Sequence, residues 1–371
     1  MKVAIIHDWL NQNGGAERVL EEFHAMYPDA PIYTSMYDAE RMPAAYKSWD
    51  IRTTWMQRLP MVTKKHQLFM PLFPAAFETI DLSGYDLAIS SSSAFCHGVL
   101  TRTEACHVCY CHTPTRFIWN YFDYAKRERL SAWKRRLLAP YLFKLRQWDR
   151  TSADRVDYWI ANSGLVKDRI AKYYRRTAAV IYPPVDTARF VPEAGYDDYY
   201  LVLSRLLPYK RIDLAIEACN RTKSRLLIAG SGRGTEQLKK LAGPTVEFLG
   251  RVPEEQLSGL YARCKAFIFP GEEDFGLTPL EANAAGRPTI AFKAGGTLDT
   301  VLPGVTGEYF TEPTVDSLVA AMTAFNPDAY DPAKIRAHAE TFDTKVFRAQ
   351  FQDFVKRSME AYAKGIPVYD Q

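Results

Sequence analysis

Hydrophobic and polar positions along the chain fall into two kinds of run. The opening KVAIIHDWL is an apolar stretch of strand length. The turn NQNGG follows, and then AERVLEEFHAMY, whose apolar residues return every three or four positions. Strand, glycine turn and amphipathic helix form the first unit of a doubly wound α/β domain. Further strands are predicted at PIYTSM, YDLAISSS, HVCYCH, DYWIANS and AAVIYPP. A second series starts at YYLVLSRL and alternates regularly. It runs through helix RIDLAIEACNRT, strand SRLLIAGSG, helix TEQLKKLAG, strand VEFLGRV, helix EEQLSGLYARC, strand AFIFPG, helix PLEANAAG and strand PTIAFKAGG. This alternation predicts a parallel sheet with helices on both faces, because parallel strands need crossover connections.

Between the two series lies YPPVDTARFVPEAGYDD, residues 182–198, rich in proline and polar side chains; it reads as a linker. The pattern predicts a first domain over 1–183 and a second over 184–345. The amphipathic TKVFRAQFQDFVKRSMEAYA then places a helix within 346–371, expected to pack back on the first domain. A length of 371 residues suits two domains. Two open α/β sheets joined in this way predict a ligand crevice beyond the carboxyl ends of the strands. No internal repeat or low-complexity tract interrupts the pattern.

Composition changes this picture only at a few points. Hydrophobic content of 47% and charged content of 24% are those of a soluble globular protein. No apolar run reaches the roughly 18 residues of a spanning helix, and MKVAIIHDWL is too short and too quickly polar for a signal peptide, so a cytoplasmic location is expected. The net charge of +4 is unevenly spread: residues 1–180 hold 25 Lys/Arg against 18 Asp/Glu, or +7, which leaves −3 for the rest. The first half is therefore expected to meet something anionic; without a nucleic-acid motif, a nucleic-acid partner is not expected. Cysteines stand at 96, 106, 109, 111, 219 and 264. The HVCYCH stretch lacks paired C-x-x-C ligand spacing and alternates like a strand. Its cysteines read as small core residues, and no metal is expected.

The chemistry concentrates in the second half. In GEEDFGLTPLEANAAGRP, residues 271–288, seven residues separate Glu273 from Glu281. Thr278 is suited to an N-cap, Pro279 to the first helical position, and Glu281 to the third residue of a capping box; Gly286 and Pro288 end the helix. Glu281 thus has an ordinary structural account, and Glu273 has none. The DFGL turn ahead of the cap presents backbone N–H groups at a positive helix end, where a phosphate or polyhydroxyl group is held. SRLLPYKRID, residues 204–213, puts Arg205 and Lys210 on the loop after a strand. A guanidinium fork and a compact ammonium suit a diphosphate that gains charge as it leaves, although a single basic pair is ordinarily just solvated. AGSGRG, residues 229–234, is a glycine turn that by itself only closes an α/β unit. LGRVPEEQL, residues 249–257, offers the edge of a base pocket. In the first half, residues 124–150 hold nine basic residues against two acidic ones, interleaved with Trp, Leu, Tyr and Phe. Lys134, Arg135 and Arg136 at its centre suit either an anionic membrane surface or an ordinary solvated helix face.

Taken together and in order, these motifs resemble the donor half of the family 4 retaining glycosyltransferases: R-x4-K after a strand, G-x-G, GRVPEEQLSGLYARCKAFIFP, and E-x7-E within EDFGLTPLEANAAGRPTIAFKAGG. The first half, through IIHDWLNQNGGAERVL, DLSGYDLAISSSSAF, CHTPTRFIWNY and ANSGLVKDRI, resembles the bacterial O-antigen and polysaccharide mannosyltransferase branch. The resemblance covers nearly the whole chain and weakens after about residue 315. It implies a GT-B fold, α/β, with two Rossmann-like doubly wound domains facing a central cleft. It also implies transfer of a hexose, mannose from GDP-mannose, to a lipid-linked or polysaccharide glycan in cell-surface polysaccharide synthesis, at the inner face of the cytoplasmic membrane. The nucleotide-sugar is then a substrate, and no cofactor is implied.

Residue by residue, the resemblance gives Arg205 and Lys210 to the diphosphate, Glu281 to the ribose, and Glu273 to the sugar hydroxyls. Phe275, Gly276 and Leu277 would lie near sugar and phosphate, and Gly230 and Gly232 in the donor turn. Arg251 and Val252 would border the base, Gly14 and Gly15 close over the donor, and His112 project towards the sugar. Nothing in 249–257 distinguishes guanine from uracil by a physical rule. A UDP-sugar-dependent transferase of the same fold, or a silent sugar-nucleotide or glycan-binding protein, therefore remains as an alternative.

Overall fold

The computed structural model describes residues 1–122, 125 and 131–365, apart from the side chain of Lys134. The chain forms two compact units: residues 1–183 together with the chain from Phe347 onward, and Pro184–Val346.

The first unit is built on seven parallel strands: β1 Val3–His7, β2 Ile32–Thr34, β3 Ile51–Thr53, β4 Leu87–Ser92, β5 Cys106–Cys111, β6 Tyr158–Ala161 and β7 Ala179–Val180. Their order is β3-β2-β1-β4-β5-β6-β7. Alternate side chains serve opposite faces, as the two-residue repeat of a strand requires. Ile5, Ile89 and Tyr110 join Val19 and Phe23 on one face; Ile6 and Ala88 join Phe73, Phe77 and Phe95 on the other. The helix Thr344–Ala363 adds Phe347, Phe351 and Val355, one turn apart, to the first of these clusters. Phe351 meets Phe23 at 4.5 Å between ring centroids.

The second unit carries β8 Tyr200–Leu203, β9 Leu226–Ala229, β10 Val246–Gly250, β11 Ala266–Phe269, β12 Thr289–Phe292 and β13 Gly307–Phe310, all parallel, in the order β10-β9-β8-β11-β12-β13. Val202, Ile228 and Ile268 face one cluster; Leu201, Leu227 and Phe267 face the other. In each sheet the order reverses beside one strand, β1 in the first and β8 in the second. The loops leaving β1 and β4, and those leaving β8 and β11, therefore diverge and leave a crevice at their carboxyl ends.

Two details differ from the sequence pattern. The stretch from Pro184 to Asp198 belongs to the second unit rather than to a loose linker. The Val185 N–H donates to Phe342 O at 2.9 Å, and the buried Arg287 donates from Nη2 to Glu193 O at 2.9 Å, so long-range contacts hold a segment that composition alone marks as free. The pattern also omitted β3, β13 and the helices Gly164–Tyr174, Val315–Ala324 and Pro332–Glu340. β3 is a three-residue strand at a sheet edge, too short to show periodicity. Among the described residues, no helix is long and apolar enough to cross a membrane.

Candidate active site

In the second unit the loops leaving β8, β9, β10 and β11 are laced together by their backbones. The Ser204 N–H donates to Ala229 O at 3.1 Å and the Leu206 N–H to Ser231 O at 3.0 Å. The Gly234 N–H donates to Leu206 O at 2.9 Å and the Gly230 N–H to Gly250 O at 2.6 Å. Gly230 has φ +122°, and any Cβ there would collide with the Ser204 carbonyl. A Cβ on Gly232 would strike the Leu206 backbone in the same way. These two glycines therefore press the β9 turn against the loop that carries Arg205. A Cβ on Gly271 would meet the Lys210 backbone, which brings the β11 loop to the same place.

The side chains follow from this lacing. Lys210 forms an ion pair with Glu273, and its ammonium lies 5.2 Å from the centroid of the Tyr209 ring. Their exposures are 11% and 22%, so the pair stands at the surface of the loops rather than in the core. The Gly296 N–H fixes the Glu273 carbonyl at 2.9 Å. Arg205 is exposed, and its guanidinium makes no hydrogen bond or ion pair among the described residues. Glu281 is only 2% exposed and accepts a hydrogen bond from Tyr261 Oη at 2.8 Å. Chemically, on the loop after β8 Arg205 is open to solvent, and Lys210 is paired with a carboxylate that an incoming phosphate oxygen would replace.

The capping box anticipated at Thr278 is not formed. The helix runs Leu277–Ala284, with Gly276 as its N-cap at φ +90°; Thr278 and Pro279 already lie inside the first turn. A left-handed glycine turns the chain into the helix without a side-chain cap. This leaves the Glu281 carboxylate to Tyr261 rather than to the Thr278 N–H. Phe275 is buried, 6.0 Å from Phe342 between ring centroids, and Leu277 is partly exposed at the helix start. Gly286, at φ +76°, follows the helix end as the sequence suggested. Arg251 and Val252 line a pocket of about 680 Å³ with Leu249, Glu255 and Arg263. Lys210, Glu273 and Glu281 are not among its lining residues.

In the first unit, Gly14 and Gly15 are exposed at the start of the helix Gly15–Met26, and no side chain caps that end. His112 follows β5 directly and is 8% exposed. Its Nε2 lies 2.8 Å from Ser91 Oγ. Burial, reinforced by neighbouring His7, pulls its pKa down to about 3, so the ring is neutral. The turn after β4 is held by Asp8, a residue the sequence pattern did not single out. Its carboxylate accepts from the N–H groups of Ser93, Ala94, Phe95 and Cys96 at 2.6–2.9 Å. Asp149, fully buried, accepts from Thr115, Trp119 and Tyr174, which anchors the end of the helix Ala132–Ser152.

That helix displays Trp133, Leu137 and Phe143 to solvent beside exposed Arg135 and Arg136. Arg135, Arg136 and Arg146 also line a mainly apolar pocket of about 690 Å³ with Trp119, Phe122 and Leu142. The Lys134 side chain and residues 126–130 lie outside the described residues. All six cysteines are buried, three of them on β5. Among the described residues, no group of three or more His, Cys, Asp or Glu is arranged to hold a metal ion.

Comparison with known proteins bears on both units. Residues 13–189 match the family model described as Glycosyltransferase Family 4, and residues 186–341 the model described as Glycosyl transferases group 1. The alpha-1,3/1,6-mannosyltransferase ALG2 of Dictyostelium discoideum is 25% identical over 428 residues, covering 96% of this chain and 98% of that protein. A GDP-mannose-dependent alpha-(1-6)-phosphatidylinositol monomannoside mannosyltransferase of Mycolicibacterium smegmatis is 31% identical over 192 residues. That match spans 43% of this chain and half of that protein. Among solved structures, Anabaena HepE in complex with UDP superposes with a TM-score of 0.69 at 17% identity, covering 96% of this chain and all of that one. Sucrose-phosphate synthase from Thermosynechococcus elongatus gives 0.72 at 16% identity, covering 97% of this chain and all of that one. With two parallel-sheet units, each matched by its own glycosyltransferase model, the chain belongs to the family 4 glycosyltransferases and has the GT-B fold.

Proposed function

We propose that the protein is a retaining mannosyltransferase that moves mannose from GDP-mannose to a lipid-linked or polysaccharide glycan in cell-surface polysaccharide synthesis. The observation that carries this reading is the Lys210–Glu273 pair, which ties the Arg205–Lys210 loop after β8 to the loop after β11 that leads into the helix bearing Glu281. In this reading Lys210 exchanges Glu273 for the donor diphosphate, and Arg205 binds the same group. Glu273 is thereby released to the sugar hydroxyls, and Glu281 takes the ribose. Gly230, Gly232, Phe275, Gly276 and Leu277 shape the donor loops, while Arg251 and Val252 border the base. Gly14, Gly15 and His112 of the first unit act on the phosphates and the sugar.

The carbon–oxygen bond to the leaving phosphate breaks while Arg205 and Lys210 compensate its growing charge. The acceptor hydroxyl enters on the face that the phosphate left, and a phosphate oxygen takes its proton. Charge compensation thus falls to two side chains rather than to a metal ion. Mannose and guanine are supported by the names of the amoebal and mycobacterial relatives. UDP in the HepE complex favours a second reading, a uridine-nucleotide donor. A lipid-linked acceptor is supported by the basic, aromatic face of the helix Ala132–Ser152, which suits peripheral attachment to the cytoplasmic side of a membrane. Thermal unfolding with GDP, UDP and ADP, alongside hydrolysis of the corresponding sugars, tests the assignment. Selective protection by GDP and slow release of GDP from GDP-mannose are expected; protection by none of the three would refute it.

A further inference from the structure

Within the first unit, the helix Ala132–Ser152 forms one wall of a groove, and the chain after β5 forms the other. Ala132, Arg135, Ala139, Leu142 and Arg146 follow one another at steps of three and four, so they share one helical face. All five line the pocket of about 690 Å³, and alanine at 139, midway along that face, leaves the space open. Trp119 and Phe122 stand on the opposite wall. Contacts within the protein fix both walls. Arg146 Nη1 donates to Ile118 O at 3.0 Å, and Trp119 Nε1 donates to the buried Asp149 at 2.7 Å. The Trp119 ring also stacks on Tyr173 at 4.7 Å between centroids.

Charge decides what the groove can take. Arg135, Arg136 and Arg146 line it, and no Asp or Glu does. None of the three guanidiniums is ion-paired among the described residues. The surrounding chain has the same character: residues 131–148 carry five Lys or Arg and no acidic residue. Trp133, Leu137 and Phe143 on that helix are exposed. Guanidiniums over apolar walls match an anion that carries an apolar body. A phosphodiester headgroup brings about one negative charge, and a diphosphate brings about two or more, which balances three guanidiniums better.

We propose that this groove binds a diphosphate carried on an apolar chain. The guanidiniums hold the phosphate oxygens, and the chain lies against Trp119, Phe122 and Leu142. This rests on the lipid-linked acceptor proposed above, and it names the diphosphate and the adjoining chain as the part that the first unit grips.

Farnesyl diphosphate, titrated calorimetrically into the full-length protein, is the probe. One saturable site is expected, with inorganic diphosphate, farnesol and monomeric dihexanoyl phosphatidylglycerol each at least about tenfold weaker. Ala139→Phe, which fills the groove from an exposed position, should abolish binding, and Arg146→Gln should weaken it by about tenfold or more. Lys144→Gln removes a charge from the same helix outside the groove, and Lys210→Ala removes one from the donor loops. Both should change the affinity by less than about twofold. Urea midpoints establish that the variants are folded. Absence of binding overturns the assignment, as does binding that survives Ala139→Phe and is lost in Lys210→Ala, which places the probe on the donor loops. Equal affinity for the phosphodiester lipid, or equal losses in Lys144→Gln and Arg146→Gln, marks a general attraction to the surface and overturns it too. If no nucleotide-sugar is hydrolysed, the proposed function fails, and the titrations still decide the groove.

Discussion

Lys210 and Glu273 neutralise one another, so removing either changes charge balance more than packing. Lys210→Ala is expected to reduce turnover by about 10²–10³-fold, as loss of one charge-stabilising group does. Because the pair is only partly buried, stability should move by less than about 1 kcal/mol. Turnover and urea unfolding measured on one preparation separate the two effects. A second residue-scale consequence concerns acid. Burial holds the pKa of His107 and of His112 at about 3, against an ordinary value of 6.5, so between these limits the unfolded chain binds protons that the folded chain does not. Stability should therefore be intact above pH 6.5 and fall as pH drops towards 3, by roughly 1.4 kcal/mol per pH unit for each ring. The buried Asp149 and Asp157 carboxyls, raised by desolvation, act in the opposite sense above their ordinary value of 3.8. Unfolding midpoints at pH 7, 6 and 5 should decline, and a flat series would contradict the assignment. The sequence made Lys210, Glu273 and Glu281 legible because ordered motifs carry them. Tyr261, His7, Ser91 and Glu17 gave no such signal: their partners lie 10 to 84 positions away, and nothing local marks a strand-end histidine as the partner of a serine on the neighbouring strand.

At the scale of elements, the alternation of apolar runs located eleven of the thirteen strands among the described residues, because strands buried on both faces are nearly continuous in Val, Ile, Leu and Ala. Loop geometry was less legible. The Thr278 cap was a reasonable local inference, but a tertiary contact to Tyr261 and a left-handed Gly276 replaced it. The returning helix Thr344–Ala363 was visible from its periodicity, and its contribution is testable. Phe351 is fully buried against Phe23 and Phe347. Phe351→Ala should cost about 3–5 kcal/mol. Urea titration should show the loss, and a change below about 1 kcal/mol would mean that the helix does not close the first core.

For the molecule as a whole, the excess of positive charge in the first half includes one exposed helix where guanidinium groups alternate with Trp133, Leu137 and Phe143. If this face meets a membrane, the triple charge reversal Lys134→Glu, Arg135→Glu and Arg136→Glu should abolish sedimentation with anionic vesicles. It should leave donor hydrolysis in solution unchanged. Retention of vesicle binding would assign the face to solvent. Because the two units have separate cores, heat or denaturant is expected to unfold them in distinguishable steps, so a single stability figure does not describe the chain.

The six sealed thiols have a practical corollary. Burial raises the pKa of Cys96, Cys106, Cys109, Cys219 and Cys264, the last two to about 12, so these thiols offer maleimide reagents no ready target. A cysteine installed at exposed Leu137 and another at exposed Leu241, one in each unit, can therefore take a dye pair without first stripping the native residues. Each dye would then report on its own unit as a sugar nucleotide arrives.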